Sequence, residues 1–204
     1  MSVLITDPEW GLELRAKREK LDGDKWNEVW DGVLVMPSLP NDEHQEIQAN
    51  LLFPLLTVIG LPGLGKVRAG VNVTDRHPDW KEDYRGPDVV VYLNENPAVN
   101  HGTHWVGGPD FLVEIASPGE KPRQKNAFYA RVNTREVLII DRDPWCLELY
   151  RLDGGVLRSV ARSEEPNPAV LTSAALPLTF RLQTGALRPV IVVAHPAGGQ
   201  TWNV

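Results

Sequence analysis

The chain has 204 residues, 42% hydrophobic and 24% charged, a balance that suits one folded α/β-sized domain over residues 1–204 and is too apolar for intrinsic disorder. Its 21 basic and 27 acidic residues give a net charge of −6, which argues against a protein that coats nucleic acid electrostatically. No apolar run approaches the roughly 20 residues of a membrane helix, and Cys146 is the sole cysteine, so an intramolecular disulfide and a cysteine zinc cluster are excluded.

The opening segment MSVLITDPEW lacks the basic, apolar, small-residue order of a signal peptide, so a cytoplasmic protein is expected. Within it, Thr6-Asp7-Pro8-Glu9 reads as a capping box with an early proline and predicts a helix to about Leu21. Trp26 to Met36 alternates around Asp31-Gly32, a dipeptide that tolerates positive φ and predicts a two-residue hairpin turn. From Asp42 to Ile59, the spacing of Ile47, Leu51, Leu55 and Ile59 makes one apolar helical stripe. Pro54 removes a backbone donor there, which predicts a kink near Asn50. Lys66 to Thr74 alternates as a single half-buried strand, and a charged loop, Asp75 to Gly86, follows.

DVVVYL (88–93), FLVEIA (111–116) and EVLIID (136–141) are short β-branched runs of the kind found in strands buried on both faces. Between the second and third, Lys121 to Val132 reads as a helix with Phe128, Tyr129 and Val132 on one face. From Cys146 onward, alternating strands punctuated by glycine and proline predict an antiparallel extension of the same sheet, with residues 195–204 as a loose tail.

Two Pro-Asp pairs open apolar strands, at Asp88 and Asp110. Asp110 and Glu114 lie four residues apart on one strand, so their Cα atoms are separated by about 13 Å, too far to share an ion readily. Asp88 instead lies on a neighbouring strand, where cross-strand pairing brings side chains to within about 5 Å. A carboxylate inside FLVEIA is costly to bury unless it is paired, hydrogen-bonded or metal-bound. Lys125 precedes Phe128 and Tyr129 by three and four residues, which turns it toward the sheet. Two acids and an inward lysine are the minimal set for metal-assisted phosphodiester hydrolysis.

The segments WNEVWDGVLVMPSLPNDEHQ (26–45), GPDVVVY (86–92), PDFLVEIASPGE (109–120) and QKNAFYARVNTREVLIIDRDPW (124–145) resemble, in order, the Uma-two family of restriction endonuclease-like proteins, a branch of the PD-(D/E)XK nuclease superfamily. The resemblance implies a restriction endonuclease-like fold with a mixed central sheet flanked by helices, a divalent metal (Mg²⁺ or Mn²⁺), DNA as substrate, and a homodimer. It places Asp88 and Glu114 at the acidic, metal-binding positions and Lys125 at a lysine of the following helix. Glu28 and His44 match an early glutamate and a histidine, the second expected at the substrate. The chain departs from the superfamily signature at Ala116, where a lysine ordinarily stands, and Lys125 is the natural substitute. It also lacks the usual aspartate after Ser117-Pro118, leaving Glu120 as the stand-in. A non-catalytic DNA- or protein-binding module on the same fold is the alternative.

Other motifs carry blander readings. His101-Gly102-Thr103-His104 has neither neighbouring cysteines nor helical spacing and reads as a loop instead of a zinc site. Arg15, Lys17, Arg18 and Lys20 are interleaved with acids as on a solvated helix face. Trp80, Tyr84 and Arg85 offer rings and charge to a base or a partner, but from a loop whose polarity needs no ligand.

Overall fold

The computed structural model describes residues 3–20, 26–37, 39–117 and 120–204. A six-stranded mixed sheet forms its centre, in the order Val156–Glu164, Trp145–Asp153, Glu136–Arg142, Phe111–Ile115, Val89–Leu93 and Gly65–Ala69. Neighbours are antiparallel except Phe111–Ile115 and Glu136–Arg142, which run parallel. A parallel pair needs a crossover, and the chain supplies it as a 3₁₀ turn, Pro122–Lys125, leading into a short helix, Asn126–Arg131.

The apolar runs of the central strands are continuous because both faces are covered. One face, with Val89, Val91, Phe111, Val113 and Ile115, packs against Ile47, Leu51, Leu55 and Ile59 of the second helix. The other face, with Val90, Tyr92, Leu112, Val137 and Ile139, packs against Phe128, Tyr129 and Val132 of the crossover. Each fully buried aliphatic side chain of this kind contributes about 1.5–3 kcal/mol. A seven-stranded sheet of short strands lies alongside and contains Val3–Ile5, Val33–Met36, Glu28–Trp30 and Tyr84–Arg85. Its hairpin turns at Asp31 (φ 47°) and Gly32 (φ 84°), as the Asp-Gly pair predicts.

Several elements depart from the sequence reading. The first helix, Pro8–Glu19, is capped by Asp7, whose carboxylate accepts the Trp10 N–H at 2.9 Å. Aspartate caps as well as threonine does and sets Pro8 at the first helical position. Glu9 then falls one residue short of where a capping box needs it. The second helix, Asp42–Leu55, passes through Asn50 and Pro54 without a break. The irregularity comes later, as a wide turn at Leu56–Gly60 in which Leu61 and Leu64 donate to the carbonyls of Leu56 and Ile59, at 2.7 and 3.0 Å.

The strand expected over Lys66 to Thr74 is divided. Gly70, at φ 58°, turns the chain, so Gly65–Ala69 joins the central sheet and Val73–Thr74 the seven-stranded one. After the Trp145–Asp153 and Val156–Glu164 hairpin, which does extend the central sheet, the remaining strands form a separate four-stranded sheet. Its Phe180 stacks on Phe111 at 5.5 Å. The end of the chain is not a loose tail: Gln200–Asn203 pairs with Val190–His195, and Val204 is buried while exchanging both backbone bonds with Ile191. No described helix is long and apolar enough to cross a membrane.

Candidate active site

The residues singled out in sequence gather where the two larger sheets part. Val89, Val90 and Val91 lie opposite Val113, Leu112 and Phe111, and the same register continued one step sets Asp88 opposite Glu114. Glu28 arrives on its own strand, beside the Tyr84–Arg85 strand that leads into Gly86 and Asp88. Lys125 ends the 3₁₀ turn of the crossover, and His44 stands in the first turn of the second helix, whose cap Asn41 accepts the His44 N–H at 3.0 Å. Glu28, His44, Asp88, Glu114 and Lys125 all line one cavity of about 60 Å³. An adjoining cavity of about 300 Å³ shares Glu28, Glu114, Glu120 and Lys125 and adds Lys121.

Lys125 bridges two carboxylates. Its Nζ donates to Glu28 Oε1 at 2.8 Å and to Glu114 Oε2 at 3.0 Å. Glu28 is fixed further by the Gly86 N–H at 2.9 Å and the Trp30 indole N–H at 2.6 Å. Glu114 Oε1 accepts a short hydrogen bond from the Tyr129 hydroxyl. Asp88 spans the gap between strands: Oδ2 accepts the Ile115 N–H at 2.6 Å, and Oδ1 faces His44 Nε2 at 3.2 Å. Gln48 donates to the Asp88 carbonyl at 2.7 Å. The structure thus sets His44, 5% exposed, against Asp88. His44 Nδ1 is left buried without a partner.

Three carboxylates face one ammonium, and two of them, Glu28 and Glu114, are pushed in opposite directions. Burial raises the Glu114 carboxyl, and Asp88 and Glu28 add to this against the pull of Lys125 and Tyr129, leaving it at about 8. Burial also works against ionised Glu28, but Lys125, Gly86 and Trp30 outweigh it and hold that carboxyl below its usual range. Burial opposes the charged form of Lys125, and Glu114 and Glu28 overcome it, holding the ammonium above its usual value. Glu28 is therefore the standing counter-ion of Lys125, and Glu114 is the acid that yields its charge. A carboxyl raised on folding contributes stability that is fully present below its unfolded pKa, near 4.5, and is lost as pH rises through about 8. In metal-free protein, urea unfolding across that window should show wild type losing stability with pH relative to Glu114→Gln. Parallel curves would contradict this assignment.

Tyr129 and Gln48 were not picked out in sequence, although each follows a recognised residue, Lys125 and His44, by four positions on one helical face. Asp110 accepts from the Leu93 N–H, Asn96 and Arg135. Arg15 is tied to Glu82 and to the Lys81 carbonyl. Tyr84 and Arg85 are buried, with the guanidinium between the Trp30 and Phe128 rings and held by Asp83. Neither Tyr84 nor Arg85 is placed to stack on a base.

The mixed sheet, the crossover helix and the acid–lysine cluster define a protein of the restriction endonuclease-like class. The fold is similar to the crystal structure of a putative nuclease belonging to DUF820 from Anabaena variabilis ATCC 29413, at 18% identity and a TM-score of 0.58, over 74% of this chain and 83% of that one. A search of curated proteins gave no match. The model of the Uma2 family, described as "Putative restriction endonuclease", matches residues 14–185, and the chain belongs to that family.

Proposed function

We propose that the protein is a metal-dependent endonuclease that hydrolyses phosphodiester bonds of DNA. The observation that carries this reading is the meeting of Asp88, Glu114, Glu28 and Lys125 in one cleft, with a surplus of carboxylates over cations. Hard oxygen donors with uncompensated negative charge suit Mg²⁺ or Mn²⁺, and Asp88 and Glu114 are the residues to hold it. When bound, such an ion supplies Lewis acidity and an activated water.

The chain's own groups do the rest. Lys125 stabilises the negative charge that develops on the scissile phosphate, standing in for the lysine absent at Ala116. Glu28 holds the Lys125 ammonium at the cleft, His44 orients Asp88, and Tyr129 orients Glu114. Lys121 and Glu120 border the larger opening, through which the DNA backbone enters.

Purified protein incubated with linear, supercoiled and branched DNA should cleave at least one of them in Mg²⁺ or Mn²⁺ and none in chelator. Failure of folded protein on every substrate would favour the alternative, a non-catalytic binding module, for which the net charge of −6 and Ala116 speak. A homodimer belongs to the same proposal. Trp145 packs against the core beneath Arg188, whereas Phe53, Leu61 and Leu64 around the end of the second helix are exposed. Light scattering should give twice the 22.7 kDa chain mass, and a mass near 22.7 kDa at every concentration would remove the dimer.

A further inference from the structure

Three of the four histidines outside the acidic cleft come together, although the sequence sets His77 well apart from His101 and His104. His101 and His104 occupy the turn between the Val99–Asn100 and Trp105–Val106 strands, and His77 follows the Val73–Thr74 strand. Parallel pairing of Val73 with Trp105 and Thr74 with Val106 brings the two loops side by side. The turn is built tightly: the His101 N–H bonds the His104 carbonyl at 2.9 Å, Asn100 accepts the Gly102 N–H at 2.7 Å, and Asn72 donates to the Thr103 carbonyl at 3.2 Å. One ring nitrogen from each histidine lies within 4.8 Å of the others.

We propose that His77, His101 and His104 form a binding site for one zinc ion, separate from the acidic cleft. Borderline metals of the zinc, nickel and copper class take imidazole ligands, and three imidazoles leave a fourth position for water. His77 Nδ1 and His104 Nε2 are 3.1 Å apart, close to the about 3.3 Å between two nitrogens of a tetrahedral zinc ion with Zn–N bonds of ~2.0–2.1 Å. His104 is the anchor. It is 3% exposed, Trp80 stacks on it at 4.8 Å, and the Thr103 hydroxyl meets its Nδ1 at 3.0 Å. That contact engages one ring nitrogen and leaves Nε2 toward the other histidines, the arrangement that outer partners of metal-bound histidines impose.

His77 and His101 stack at 3.9 Å with their rings nearly parallel, so their lone pairs converge on an ion only after the rings turn. Both residues are exposed, which leaves them free to turn about an anchored His104. Imidazole binds a metal in its neutral form, so zinc uptake by this set should weaken as pH falls.

Calorimetric titration of untagged, metal-stripped protein with ZnCl₂ tests this site. One zinc ion per chain is expected. His77→Ala and His101→Ala, both at exposed positions and checked for native circular dichroism, should each weaken binding by more than the roughly 10–100-fold that loss of an outer partner costs. Asp88→Asn should bind zinc as the parent does, which separates this site from the acidic one. Absence of zinc binding in the parent, undiminished binding in both histidine variants, or loss of zinc binding in Asp88→Asn would each overturn the proposal.

Discussion

Lys125→Met should lower cleavage by roughly two to three orders of magnitude, the effect of removing one preorganised electrostatic donor, and should also destabilise the fold. In sequence, methionine looks like a neutral replacement that keeps the apolar stem and deletes only the charge. The structure gives that charge a structural task as well, because the ammonium, on a side chain only 16% exposed, lies between Glu28 and Glu114, whose side chains are 5% and 7% exposed. Breaking a buried pair by removing one partner costs about 3–5 kcal/mol, since the other charge is left uncompensated. Urea unfolding and cleavage rates on the same preparation separate the two effects. A variant as stable and as active as the parent would place the basic role elsewhere. Lys121 is the remaining candidate, since Arg123 is engaged by Asp141 and Glu148.

Asp88→Asn should show the opposite division, with a loss of activity and little change in the fold. The asparagine carbonyl oxygen can still accept the Ile115 N–H that Asp88 holds at 2.6 Å, and Gln48 bonds the backbone carbonyl, which the substitution leaves in place. The negative charge toward a cation is gone, and with it the several kcal/mol of transition-state stabilisation that a bound ion supplies, or about 10³-fold in rate. The parent's rise in melting temperature with Mn²⁺ should disappear in the variant, since an ion that binds only the native state raises its stability. Cleavage within tenfold of the parent, with the Mn²⁺ shift retained, would remove Asp88 from the metal site.

What the sequence disclosed depended on how local the signal was. The three central strands were readable because burial on both faces demands uninterrupted apolar runs, and Asp31-Gly32 specified its hairpin through φ alone. The convergence of Asp88 and Glu114 followed from placing them on paired strands, and the inward turn of Lys125 from its spacing to Phe128 and Tyr129. The division at Gly70 was hidden, because Lys66 to Thr74 keeps its alternation while changing sheets. The four-stranded C-terminal sheet was hidden too, since alternation says which face of a strand is buried and not which sheet buries it. His44 in the first turn of a helix gave no sign that it would be buried against Asp88. His77 stood apart from His101 and His104 until a parallel pairing of two very short strands joined their loops.

Diffraction from crystals soaked in Mn²⁺, recorded for anomalous signal, tests the central claim most directly. A peak is expected within coordination distance of carboxylate oxygens from both Asp88 and Glu114, beside the Lys125 ammonium. A well-ordered cleft with no peak between those two carboxylates, or a peak confined to His77, His101 and His104, would contradict it.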